Sequence, residues 1–276
     1  MFVGAHSGLA AEMLELTDIP CVPSDPHAPA GLSPTDYDAA ILDSYELSEH
    51  TICQLARALP IATLAEAPRC RERGVWVDYH LDRLGDEPSS RLLPGPAYAP
   101  LDPRFVAARR RRPTVDRALV TIGGGTAGHD IVGPAIAALR AVFPNAAVIC
   151  ASPGLPNGHQ LTRVSRSQRL WDVLEHVDLA VSSAGLTAYE LACAGVPAVL
   201  VPVVDNQRRV AAACVASGTA LAVDSHGAEL RTQLHTTLET LRLASAREAM
   251  AQRGMRLFDG DGARRTAQAL LRRWKH

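Results

Sequence analysis

Short apolar runs recur along this chain, each closed by small or polar residues and followed by a stretch of helical spacing. The pattern is clearest in the second half, where residues 117–122, 146–151, 178–182, 197–201 and 219–223 read as strands, each leading into a helix or loop. Runs of this length rich in Val, Ile and Leu suit strands buried on both faces. Their alternation with helices predicts βα units and a complete doubly wound parallel sheet. In the first half, AAILD at 39–43 predicts a strand, 46–59 a helix and 60–64 another strand. The chain opens on FVG, read as a strand remnant before a helix over 9–16, so this half is expected to be an incomplete Rossmann-like domain. Between the halves, residues 87–113 lose periodicity and are punctuated by Pro and Gly, the mark of a linker. The expected division is a truncated domain over 1–104, a linker over 105–113 and a second α/β domain over 114–276.

Composition adds limits. With 276 residues, 47% hydrophobic and 21% charged, the chain has enough apolar sequence for two modest cores. A net charge of -1 supplies no global attraction for nucleic acid or an anionic membrane, so an anionic ligand must be held locally. The run Arg109 to Arg112 is the one basic cluster, and without interleaved aromatic residues it reads as a solvated interdomain segment. Six cysteines without a CxxC pair signal neither a zinc site nor a disulfide framework, which fits a reducing cytoplasm. No basic leader opens the chain and no apolar run is long enough to span a bilayer, so a soluble cytoplasmic protein is expected.

Candidate chemistry lies at the ends of the predicted strands. GGGTAG at 123–128 satisfies G-x-G-x-x-G after a strand, yet no Asp or Glu stands between Asp130 and Asp172 to bind a dinucleotide ribose. A dehydrogenase is thereby excluded, and the absence of G-K-[ST] argues against a P-loop NTPase. Gly123, Gly124 and Gly125 remain either a turn or a backbone cradle for a phosphate.

The block VSSAGLTAYELACAGVPAVLVPVVDNQRR, 181–209, places Ser183, Ala184 and Gly185 between a strand and a helix over 186–194. Helix N-termini at the carboxyl edge of a parallel sheet attract anions, so a diphosphate suits this loop. Thr187 adds a hydroxyl in the first turn. Glu190, one turn further on, is either a solvated helix residue or an acceptor for the two hydroxyls of a ribose. Asp205, Asn206 and Gln207 follow the next strand, where they either cap a helix or, through the two amides, meet the hydroxyls of a sugar.

The stretch DLAVSSAGLTAYELACAGVPAVLVPVVDNQRRVA, with LVTIGGG and GPAYAPLDPRF before it, resembles the nucleotide-sugar enzymes of GT-B fold. It is most similar to the UDP-sugar hydrolase of the pseudaminic-acid pathway (PseG) and the SpsG-type spore-coat proteins predicted to be glycosyltransferases, and more distantly to MurG. The resemblance implies two Rossmann-like domains facing a cleft and a last helix, 262–274, crossing back to the first. It implies that UDP binds with Glu190 on the ribose, Gly123 to Gly125 and Ser183 to Thr187 near the diphosphate, and Asn206 and Gln207 near the sugar. ILDSY, 41–45, resembles the family's IVDSY; Asp43 there either acts on the acceptor or caps the following helix.

The family's opening strand and G-x-G-H-x-x-R turn, with its catalytic histidine, has no counterpart here, and His6 does not stand in its place. PIATLAEAP also replaces the typical IDDLA.

The expectation is a metal-independent, cofactor-free enzyme that cleaves the anomeric C–O bond of a UDP-sugar and transfers an aminosugar or sugar to a small acceptor. Release of UDP by hydrolysis, with water as acceptor, is the alternative. A second is a non-catalytic nucleotide-sugar-binding protein whose protein partner supplies the missing first βα unit.

Overall fold

The computed structural model of the chain describes residues 2–3, 21–22, 37–44, 47–65, 70, 73–122, 127–151, 162–163, 169–224 and 227–275. It divides into two compact units, one formed by residues 1–100 with 263–276 and the other by 101–262.

In the first unit, β1 (Phe2–Val3) and β2 (Cys21–Val22) form a short parallel pair. A separate four-stranded parallel sheet is made by β3 (Ala40–Leu42), β4 (Ile61–Leu64), β5 (Val75–Asp78) and β6 (Leu92–Pro94), in chain order. Helix α1 (Glu49–Ala58) begins where the Ser48 hydroxyl accepts the Thr51 N–H, so Ser48, not Asp43, is its cap. Its apolar stripe sets Ile52 and Ala56 against Leu59 and Ile61 on one face of the sheet. Because strand side chains alternate, Ala62 points to the other face, where Val75, Val77 and Leu93 pack on Ala269 and Leu270 near the chain's end.

The second unit holds α2 (Arg104–Ala107), β7 (Arg117–Thr121), α3 (His129–Val142), β8 (Ala147–Ala151), β9 (Thr162–Arg163), α4 (Leu170–Leu174) and β10 (Leu179–Ser183). It continues through α5 (Leu186–Cys193), β11 (Ala198–Val201), α6 (Asp205–Ser217), β12 (Leu221–Ala222), α7 (Leu230–Thr240) and α8 (Ala244–Leu257). The last helix, α9 (Gly262–Trp274), carries Ala269 and Leu270 and is grouped with the first unit. All six strands run parallel in the order β12-β11-β10-β7-β8-β9, the doubly wound arrangement.

One face of this sheet sets Ala118, Val120, Val181 and Val199 against Ile131, Ala135 and Leu139 of α3 and Leu234 of α7. The alternate residues Leu119, Ala180 and Leu200 are equally buried, so both faces are covered. Helices α5 and α8 cross closely: a Cβ on Gly254 would lie 2.6 Å from the Ala192 carbonyl oxygen.

Two expectations change here. Residues 105–113 are packed into the second unit, and the arginine run is solvated only at Arg110 and Arg111, with Arg109 half-buried and Arg112 buried. Arg112 is 5% exposed and donates to the carbonyls of Ala108, Arg110, Leu174, Val177 and Gly195. Arg109 reaches the carbonyls of Cys193, Met255 and Phe258, and Arg110 that of Glu175 and the Asp178 carboxylate. Most of the carbonyls lie at or just beyond the ends of α4, α5 and α8, where the last carbonyls have no helical partner and a cation is favoured.

Candidate functional site

The order of strands in the second unit decides where a ligand is best placed. The chain winds outward from β7 in one direction through β8 and β9 and in the other through β10, β11 and β12. The loops after β7 and β10 therefore diverge, and the carboxyl ends of these two strands flank the crevice that doubly wound sheets use for binding.

Gly123, Gly124 and Gly125 lie outside the described residues. Gly128, which ends the same motif, has a φ of +88°, and a Cβ there would lie 2.5 Å from Val203 Cγ1. Only glycine meets both demands, and this brings the start of α3 against the loop after β11.

The loop after β10 is built tightly. Ser183 is buried, as is Ser182, whose hydroxyl donates to the Ser183 carbonyl at 2.9 Å and so is already engaged. Gly185 precedes α5 without a side-chain cap; the Ala188 N–H donates to the Gly185 carbonyl at 3.0 Å, which leaves the N–H groups of Leu186 and Thr187 to whatever faces the loop. Ala184 does not share that availability, because its N–H donates to Gln207 Oε1 at 3.2 Å. The same oxygen accepts the Val203 N–H at 3.0 Å, so Gln207 joins the ends of β10 and β11. Two N–H donors fix the amide orientation and turn its NH2 group away from them.

Asn206 is exposed in the first turn of α6, whose N-cap is Val204 without a side-chain bond. None of Asp205, Asn206 and Gln207 serves as the helix cap.

Glu190 is half-buried on α5 rather than solvated. Burial raises its carboxyl to about 7; the Thr187 hydroxyl, by hydrogen bonding to it, pulls the other way, and the negative charge of Asp102 adds to the rise. Asp102 is itself held ionised by Arg104, whose Nε and Nη2 lie 2.9 and 2.6 Å from its carboxylate oxygens. The Arg104 guanidinium in turn stacks over Trp171, 3.8 Å from the ring centroid. Thr187 and Glu190 thus meet by helical spacing alone, whereas the Asp102 contribution needs the folded unit.

In the first unit Asp43 is exposed just beyond β3. A pair that sequence reasoning missed stands at the carboxyl end of β5. Asp78 is fully buried; its Oδ1 lies 2.8 Å from His80 Nδ1, and its Oδ2 accepts Arg83 Nε at 2.8 Å. An ionised carboxylate only accepts, so His80 Nδ1 carries the proton in this bond. The signal in the sequence was VDYH closing an apolar run, legible only once β5 is recognised as a strand.

Among the described residues no cluster of His, Cys, Asp and Glu is able to hold a metal ion, and no helix is long and apolar enough to cross a membrane.

Two parallel α/β sheets of this kind give the chain the fold of the GT-B glycosyltransferases. It is similar to the solved structure of LpCGTa in complex with UDP, with 16% identity over 100% of this chain and 92% of that one and a TM-score of 0.67. For the spinosyn rhamnosyltransferase SpnG the identity is 16% over 87% of this chain and 73% of that one, with a TM-score of 0.59. UDP-GlcNAc 2-epimerase from Neisseria meningitidis, bound to UDP-GlcNAc, matches at 13% identity over 98% and 90%, with a TM-score of 0.55. At these identities the likeness is one of fold. No family model matches the sequence, and no curated protein matches it.

Proposed function

We propose that the chain is a UDP-sugar-dependent glycosyltransferase that works without a metal or other cofactor in a reducing cytoplasm and passes a sugar or aminosugar to a small acceptor. The observation that carries this reading is the α5 terminus at the carboxyl edge of the switch-point strand β10: uncapped after Gly185, with Glu190 one turn along. A diphosphate suits the former and a ribose diol the latter. Gly123 to Gly125 would add backbone donors to the phosphates, and Asn206 and the NH2 of Gln207 would meet the sugar. That structures of the same fold contain UDP and UDP-GlcNAc supports this choice of ligand.

In the reaction, the acceptor oxygen forms a bond to the anomeric carbon as the bond from that carbon to the diphosphate oxygen breaks, its electron pair leaving with UDP. Positive charge builds on the sugar and negative charge on the leaving diphosphate. The amino end of α5 stabilises the second. The acceptor hydroxyl gives up its proton to a general base as the new bond forms. Water in place of the acceptor gives the PseG-like hydrolysis, and a chain unable to turn over would be a nucleotide-sugar-binding protein with a protein partner.

The test is calorimetric titration of UDP, TDP and CDP into wild type and Glu190→Ala, followed by an acceptor screen with UDP-sugars. Selective UDP binding abolished by the substitution, with UDP released only when an acceptor is present, supports transfer. UDP released without acceptor indicates hydrolysis, and binding without any turnover indicates a binding protein. Absence of binding to all three nucleotides refutes the proposal.

A further inference from the structure

A cavity of about 240 Å³ opens in the second unit beside the amino end of β11, at the edge of the sheet opposite Gly185. The arginine run forms one wall and α8 another. Its charged lining is one-sided: Arg109, Arg110, Arg111, Arg112 and Arg247 against Glu248.

Backbone carbonyls hold most of these guanidinium groups in place, but carbonyls bring only partial charge. Three helix ends carry about half a charge each, which does not cancel the surplus. Among the described residues, Arg110 alone of the five has a carboxylate partner, Asp178.

Donors remain uncommitted. Arg109 bonds through Nε and Nη2, leaving Nη1 without an acceptor, and Arg111 is exposed with none for its side chain. Arg247 is 3% exposed, with Nη1 and Nη2 bonded to carbonyls and Nε closed off from solvent, so it brings charge to the lining rather than a free donor. The crowding registers on Arg112, which burial and the charge of Arg110 lower to about 10.

We propose that this cavity is an anion site for a small phosphate-bearing polyanion of the size of pyrophosphate, separate from the loop that follows β10. Guanidinium groups already fixed by carbonyls lose little freedom on binding, and their planar forks match phosphate oxygens. The volume suits a phosphate or short polyphosphate rather than a macromolecule. Nothing in this proposal depends on the nucleotide reading.

The experiment is a titration of pyrophosphate into wild type, Arg111→Glu and Glu248→Gln, with and without excess UDP, read by calorimetry and by amide hydrogen exchange. The expected result is one site that persists in UDP and protects residues 109–112 and α8. Arg111→Glu weakens it by about fivefold or more, and Glu248→Gln, which removes the one acidic lining residue, tightens it. A gain on Glu248→Gln is not produced by misfolding. Absence of binding, binding abolished by UDP, or affinity indifferent to both substitutions would overturn the proposal.

Discussion

Gln207 and Ala184 stand 23 residues apart in sequence, and the side-chain oxygen of the first accepts the backbone N–H of the second at 3.2 Å. With the Val203 N–H on the same oxygen, one carboxamide sets the spacing of the loops after β10 and β11.

Gln207→Leu strands two part-buried N–H groups and is expected to cost about 1–3 kcal/mol, seen as a lower Tm. Gln207→Glu keeps an acceptor for both, so its Tm stays near wild type. It loses the NH2 group and places a charge beside the loop, so UDP-sugar affinity falls. Equal losses of stability in both variants would show that Gln207 does not act through that oxygen.

The raised carboxyl of Glu190 makes stability depend on pH. Between about 4.5, its ordinary value, and about 7 the folded protein holds a proton that the unfolded chain has released. Stability therefore falls as pH rises through that window and levels off above it. Glu190→Gln removes the effect: melts near pH 5 should coincide with wild type, and near pH 8 the variant should be the more stable by about 1–3 kcal/mol. A difference that does not vary with pH would contradict the assignment.

Arg112 and Arg111 are neighbours with opposite consequences. Arg112→Met orphans carbonyls at three helix ends and is expected to cost about 3 kcal/mol or more, whereas Arg111→Met, on an exposed side chain, should stay within about 0.5 kcal/mol. Urea denaturation of the pair measures the contrast directly.

Two helix-interior glycines separate in the same way. Gly254→Ala drives a methyl into the Ala192 backbone and should cost about 1–3 kcal/mol. Gly133→Ala on α3 meets nothing within 4 Å apart from its chain neighbours, and with Pro134 following it the change should stay within about 1 kcal/mol of wild type. Thermal melts of the two variants suffice.

The strands of the second unit were legible because a sheet covered on both faces requires unbroken apolar runs, as at β7, β10 and β11. The first unit was only partly so. VWVD of β5 and LLP of β6 are short and flanked by turn residues; in the second unit β9 is two residues long. Residues 219–223 shrink to Leu221–Ala222 for the same reason: one row of ladder bonds to β11 supports so few positions.

The sequence by itself determined what depends on neighbours along the chain. The turn 183–187 opening a helix, and Glu190 one turn beyond Thr187, follow from strand and helix periodicity and were readable as a candidate anion and diol site. Tertiary structure alone decided the partners that have no sequence signature. Every residue carries a carbonyl, so nothing in RRRR announces that Arg112 will meet those of Leu174, Val177 and Gly195, or that Gln207 will take the N–H of Ala184. Nor does Glu190 declare its proton affinity, which arises only when folding removes water and brings Asp102 near. Backbone groups and desolvation are positioned by packing, and packing is a property of the whole fold.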